Sequence, residues 1–258
     1  YLDLGLADDA LRHLRLAIDR GSRGAEAYDN LGIAYLALGM LEPAIEAFER
    51  AMTLNPRLTP ALANAVMALR TACAWERVGH AERLLTRELD DPAGDPRCSP
   101  IVTLHAFDSP AYQARAIRRW SDRVLPGVAA PAAIRGRGTQ LRVGYVSANF
   151  REHPTAYLNA GMFELHARGR CAVFAYNNSA DDGSAIRRRL RRAFANWCDV
   201  GAMGDAEAAA RIRADGLDVL VDLNGHTQGG RLGIFALRPA PVQIHYKGFP
   251  GTIGYAAI

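Results

Sequence analysis

No apolar run in the 258 residues approaches the roughly 18 that a membrane-spanning helix requires. Tyr1 already sits inside a helical pattern, so no signal peptide is expected either. Lysine is nearly absent: Lys247 is the only one, and the net charge of +4 comes almost wholly from arginine. Cysteine is scarce, and Cys73, Cys98, Cys171 and Cys198 form no CxxC pair. That argues against a zinc or disulfide framework, and free thiols suit a reducing compartment. What remains is ordinary for a soluble globular chain, 49% hydrophobic and 22% charged, expected in the cytoplasm. The densest basic run, Arg187 to Arg189 with Arg191 and Arg192, reads as a solvated helix face rather than a nucleic-acid patch. Ser184 precedes it as an N-cap, and Ile186, Leu190 and Phe194 recur at the spacing of a buried stripe.

Residues 25–56 place Tyr28, Leu31, Gly32, Tyr35, Gly39, Ala44, Phe48, Ala51 and Pro56 at the offsets of a tetratricopeptide repeat. Stepping back 34 residues lands on Tyr1, Gly5, Ala10, Leu14 and Ala17, so the chain is expected to start midway through a previous repeat. Small residues (Gly32, Ala44, Ala51) let paired helices approach closely, while Tyr28, Tyr35 and Phe48 fill the gaps between them. Residues 59–90, opened by Thr59 and Pro60 as N-cap and N1, read as a degenerate closing repeat. Its segment Ala72 to Trp75 is expected to lead into the next domain. Such an array binds extended peptides or partner proteins; its bland alternative is a rigid spacer or dimerisation arm.

Residues 91–140 read as a connector, Pro- and Gly-rich at both ends, around one helix from Pro110 to about Val124, its second end a mobile linker. From residue 141 to 258 strand and helix patterns alternate, which implies a parallel sheet covered by helices. The stretch from Leu141 to Leu158 organises this part: an apolar strand, a loop, and a helix opening near His153, Pro154 and Thr155, with Thr155 as candidate N-cap. Open parallel sheets bind ligands outside the carboxyl ends of their strands. His153 falls there, as do Asn224 to Thr227 after the strand at 217–223 and Lys247 to Thr252 after the strand at 241–246. Two histidines, His153 and His226, at matched loop positions point to a site. Asp181 and Asp182 resemble a metal-binding carboxylate pair but equally form a turn and cap with Gly183 and Ser184.

LRVGYVSANFREHPT at Leu141–Thr155, DDGS at Asp181–Ser184, DLNGHT at Asp222–Thr227 and FALRPAPVQIHYKGFPGT at Phe235–Thr252 together resemble the O-linked N-acetylglucosamine transferases of glycosyltransferase family 41. The resemblance implies an all-α tetratricopeptide repeat array followed by an α/β Rossmann-like domain, the N-terminal half of a GT-B glycosyltransferase. It also implies inverting transfer of N-acetylglucosamine from UDP-GlcNAc to Ser or Thr hydroxyls of proteins, without metal or cofactor. The acceptor protein would be held partly in the repeat groove, with no nucleic acid or membrane as partner. By the same resemblance His153 is a candidate general base. Asn149, Pro154, Thr155 and Gly248 line the sugar and acceptor cleft, and His226, Thr227 and Arg231 face the acceptor peptide. Asn149 stands where animal members carry an aspartate, His226 where they carry an aromatic hydroxyl, and Lys247 where an apolar residue is usual, so donor or acceptor preference can differ. The family's main nucleotide-binding half, with a lysine for the departing diphosphate, is expected beyond Ile258, so the chain alone is expected to be inactive. Two readings compete: a relative using a fucose or glucose nucleotide, and a non-catalytic repeat scaffold.

Overall fold

The computed structural model describes residues 6–130, 132, 140–166 and 170–258. The repeat positions Tyr1 and Gly5 and linker residues 131 and 133–139 lie outside them. The chain divides into two compact units, Tyr1–Arg123 and Val124–Ile258.

The first unit is helical: α1 (Ala7–Asp19), α2 (Ala25–Ala37), α3 (Leu41–Leu54), α4 (Thr59–Thr71), α5 (Trp75–Asp90), α6 (Pro100–Ala106) and α7 (Pro110–Val124). In the α2/α3 pair a Cβ added at Gly32 would lie 2.4 Å from the Phe48 ring, so the repeat glycine is fixed by close helix approach. Phe48 is completely buried there, a burial that stabilises the pair by about 1.5 to 3 kcal/mol. Ala65 and Val66, which fit the repeat pattern poorly, are fully buried core residues of α4. Ala72 to Ala74 form the tight turn between α4 and α5, with Cys73 at φ +54°, and Trp75 opens α5, so the first unit continues past this segment to Arg123. Thr59 does not cap α4; its hydroxyl donates to the Asp95 carbonyl at 2.9 Å. The connector also holds a second helix, α6, and α7 belongs with the repeat helices in all but its last residue. Among the described residues no helix is long and apolar enough to cross a membrane.

The second unit alternates β1 (Leu141–Ser147), α8 (Pro154–His166), β2 (Cys171–Asn177), α9 (Ala185–Ala193), β3 (Asn196–Asp199), α10 (Asp205–Ala214), β4 (Val219–Asp222), α11 (Leu232–Ala236) and β5 (Val242–His245). All pairings are parallel, in the order β3-β2-β1-β4-β5. The chain winds outward from β1 to β3 and then returns to lay β4 on the other side of β1. The strand order therefore reverses between β1 and β4, and loops leaving these two strands in opposite directions open a crevice.

One face of the sheet packs on an aromatic cluster of Tyr145, Phe150, Phe163 and Phe194, with Phe163 and Phe194 centroids 4.8 Å apart. Helix α9 carries the basic run. Ser184 caps it as expected, its hydroxyl accepting from the Arg187 N–H at 3.2 Å. Arg188, Arg189, Arg191 and Arg192 are exposed, but Arg187 points inward. Its guanidinium donates to the Phe150 carbonyl and the Ser179 hydroxyl at 3.1 Å each, and lies over the Trp197 ring. Arg187 thus fixes the start of the β1–α8 loop. Asp181 and Asp182 form the turn that leads into the helix, accepting from the Gly183 and Ser184 N–H groups, and Asp182 also accepts from Glu152 N–H at 2.6 Å. These backbone donors, Glu152 first, lower the Asp182 carboxyl to about 2. Ser184→Ala removes the cap and is expected to destabilise the α/β unit by about 1 kcal/mol, measured by urea unfolding of this chain.

Candidate functional site

Three loops meet at the reversal point. From β1–α8 come Asn149, Arg151, His153 and Thr155, from β4–α11 come Thr227 and Gln228, and after β5 comes Gly248; together they line a cleft of about 270 Å³. Five of these seven were expected from sequence. Arg151 and Gln228 were not, because nothing in their local pattern separates them from ordinary surface residues.

The β1–α8 loop is shaped by a cap that sequence placed two residues late. Helix α8 starts at Pro154, whose missing N–H costs nothing at N1. His153 rather than Thr155 is the capping residue: its carbonyl accepts from Ala156 N–H at 3.0 Å, and its Nδ1 accepts from Thr155 N–H at 3.1 Å. This decides the tautomer. With Nδ1 accepting, the proton of the neutral ring sits on Nε2, which is then a hydrogen-bond donor. Burial, then the neighbouring Arg151 charge, pull the His153 pKa below its ordinary 6.5, so the ring is neutral at pH 7. With Nδ1 bonded to the helix N-terminus, the neutral His153 ring keeps its free N–H on Nε2 beside the cleft that the residue lines.

Asn149 is 7% exposed and lines the cleft, with its backbone N–H donated to the Ser147 hydroxyl at 3.0 Å. Among the described residues its side-chain amide bonds to no protein group, so this lining residue can offer a ligand one donor group and one acceptor. Asn224 staples the two loops together across the reversal. Its Oδ1 accepts from Ala148 N–H at 2.9 Å, and its Nδ2 donates to the Gln228 carbonyl at 3.2 Å. The Thr227 hydroxyl donates to the Asn224 carbonyl at 2.8 Å, so toward the cleft its oxygen can only accept. Gly248 has φ +70°, and a Cβ there would lie 2.3 Å from the Leu223 carbonyl oxygen. The fold itself requires that glycine.

Residues 127–258 match the family model for Glycosyl transferase family 41, and residues 25–58 that for the tetratricopeptide repeat. The chain belongs to glycosyltransferase family 41. A probable UDP-N-acetylglucosamine–peptide N-acetylglucosaminyltransferase of Arabidopsis thaliana is 34% identical over 203 residues, 72% of this chain and 21% of that protein. A UDP-N-acetylglucosamine–peptide N-acetylglucosaminyltransferase of Caenorhabditis elegans is 41% identical over 118 residues, 45% of this chain and 10% of that protein. A mutant of Thermobaculum terrenum O-GlcNAc transferase superposes with a TM-score of 0.70 at 28% identity, covering 98% of this chain and 49% of that one. The chain thus spans half or less of the proteins it matches.

In this family 41 chain three of the expected site residues do not line the cleft. Pro154 is exposed at the start of α8. His226 turns inward: its Nε2 lies 2.7 Å from the Ile253 carbonyl, and its ring stands edge-on to Phe249. Burial pulls its pKa down. Arg231 is spent on the scaffold, pairing with Asp205 at 2.6 Å and donating to the Val200 and Met203 carbonyls at 2.9 Å each. Lys247, at φ +59°, is exposed with its ammonium over the Tyr246 ring, and it too lies outside the lining.

Proposed function

We propose that this chain carries the acceptor-side half of an inverting protein O-GlcNAc transferase, which moves N-acetylglucosamine from UDP-GlcNAc to Ser or Thr hydroxyls. The observation that carries the reading is the cleft at the sheet's reversal point, which gathers Asn149, His153, Thr155, Thr227 and Gly248 from three loops. The names of the Arabidopsis and Caenorhabditis relatives support the donor and the acceptor class. In the reaction the acceptor oxygen bonds to the anomeric carbon, the bond from that carbon to the diphosphate oxygen breaks, and the hydroxyl proton departs. His153 serves as a positioned donor: Nε2–H orients an oxygen of the reacting pair, and a group other than its Nδ1 takes the proton. Asn149 and Thr227 add polar contacts that fix the acceptor, so this half contributes orientation and charge stabilisation. The repeat helices supply further contacts to protein acceptors. A cytoplasmic setting fits the free cysteines, including buried Cys98, whose thiol burial pushes up to about 11.

Incubating the full-length gene product with cell lysate and, in turn, labelled UDP-GlcNAc, UDP-glucose and GDP-fucose tests the reading. Alkali-labile protein-bound label from UDP-GlcNAc is expected. Label from another donor alone overturns the donor assignment, and label from none overturns the transferase reading in favour of a scaffold.

A further inference from the structure

At the carboxyl ends of β4 and β5 a buried carboxylate meets a half-buried imidazole. Asp222 and His245 are partners on one rung of the β4–β5 ladder, the last residues of their strands. Asp222 is 1% exposed. Its Oδ1 accepts from Asn224 N–H at 3.0 Å, and its Oδ2 accepts from Gly225 N–H at 2.7 Å and faces His245 Nδ1 at 2.8 Å. On the other side of the ring, His245 Nε2 lies 3.1 Å from the Phe249 carbonyl. Both ring nitrogens therefore point at groups that can only accept, an arrangement satisfied by the doubly protonated ring alone.

We propose that the Asp222–His245 ion pair is the joint that positions two walls of the cleft. Through Asp222 it holds the turn leading to Thr227 and Gln228, and through Phe249 it holds the turn containing Gly248. His245 is thus a positioning residue that touches no substrate. The packing agrees: a Cβ at Gly225, φ +59°, would lie 2.8 Å from Phe249 and 3.0 Å from the His245 ring, so the turns meet on the imidazole. The titratable groups facing the ring are Asp222 from β4, which favours the charged form, and His226 from the following loop, which opposes it. Lys247, two residues on in its own turn, extends over Tyr246.

The joint has a pH signature. Burial alone would lower the His245 pKa, but Asp222, then the Phe249 and Lys247 backbone, outweigh it and raise the value above 6.5. A folded pKa above the unfolded one means that the stabilisation is fully present below about pH 6.5 and is lost as pH rises through the folded value. Above that point Nε2 loses its proton and two acceptors face each other across the Phe249 contact, while the Nδ1–H bond to Asp222 survives. The Gly248 turn is then released while the β4 turn stays held.

NMR titration of this chain tests the joint directly. In wild type, the His245 ring is expected to titrate above 6.5 with both nitrogens protonated below its midpoint, and the Gly248 and Phe249 amides to shift with that same midpoint. Asp222→Asn should lower the midpoint by about 1 pH unit or more, and His245→Gln should abolish the linked step. Gly248 and Phe249 amides that stay flat through the His245 midpoint, or a midpoint at or below 6.5, would overturn the proposal. The wild-type titration decides the matter even if a variant fails to fold. That the positioned cleft is the acceptor site rests on the transferase reading, whose failure would show in the label assay and leave this titration unchanged.

Discussion

Replacing His153 with alanine in the full-length gene product is expected to lower turnover by about 100-fold, the scale for losing a preorganised hydrogen-bond donor to the reacting atoms, while His153→Asn recovers a large part of it. The asymmetry follows from the cap. Asparagine is among the best N-cap residues: its Oδ1 can accept the Thr155 N–H that Nδ1 now holds, and its amide NH₂ supplies a donor. Alanine supplies neither and should cost about 1 kcal/mol of stability as well. A general base predicts otherwise, because asparagine cannot take a proton and would be as inactive as alanine. The pH dependence adds a second check. The folded pKa of His153 is depressed, so its contribution to stability is present above about pH 6.5 and lost as pH falls through the folded value, where Nδ1 protonates and Thr155 N–H loses its acceptor. The stability gap between wild type and His153→Ala should therefore close on acidification, while the gap between His153→Asn and His153→Ala should not. Equal inactivity of the two variants at matched folded fraction would restore the base.

That His153 would sit at the mouth of a crevice was legible because the signal is local. An apolar strand followed within a few residues by a Pro-opened helix puts the intervening loop at a strand's carboxyl end, whatever the rest of the chain does. The same holds for Thr227 and Gly248, each a few residues past a recognisable strand. What sequence could not supply was side-chain direction. His226 and Thr227 are neighbours in the same loop, yet one points at Ile253 and the other lines the cleft. Arg187 was read as part of a solvated face because its four basic neighbours are, and only the positions of Phe150, Ser179 and Trp197 turn it inward. Asn224, the staple across the reversal, bonds to Ala148 at a separation of 76 residues. The Asp222–His245 pair exists only because β4 and β5 align in one register. In the repeat unit the pattern is a weaker guide than burial: Ala65 and Val66 depart from it, yet both are fully buried on α4.

Gly248→Ala is the second large effect. At φ +70° an L-residue costs about 1 to 2 kcal/mol, and here the new Cβ also meets the Leu223 carbonyl oxygen at 2.3 Å and Asn224 Cα at 3.0 Å. That carbonyl cannot swing aside, since Leu223 N–H is bonded to the Val146 carbonyl at 3.1 Å and Asn224 is held by Asp222. The turn must move instead, and with it one wall of the cleft. Gly183 supplies the control: it has φ +63°, and nothing lies within 4 Å of where a methyl on its Cα would stand. Gly183→Ala should show the backbone cost alone, and Gly248→Ala clearly more, by urea unfolding of this chain. In the full-length gene product a wall shifted by about 1 Å is expected to lower turnover by about 100-fold, with Gly183→Ala close to wild type. Equal destabilisation by both substitutions would mean that the Leu223 contact yields easily.

In the proposed reaction this cleft orients the acceptor and the transferred sugar while the nucleotide is held mainly elsewhere. The most direct measurement compares wild type with the Asn149→Ala, His153→Ala double variant of the full-length gene product, reading peptide glycosylation from UDP-GlcNAc and UDP affinity on the same samples. Transfer lowered by about 100-fold or more, with UDP affinity within about twofold of wild type, is the predicted result. Transfer that persists would remove Asn149 and His153 from the reaction, and UDP affinity that falls in step with it would place the nucleotide in this cleft.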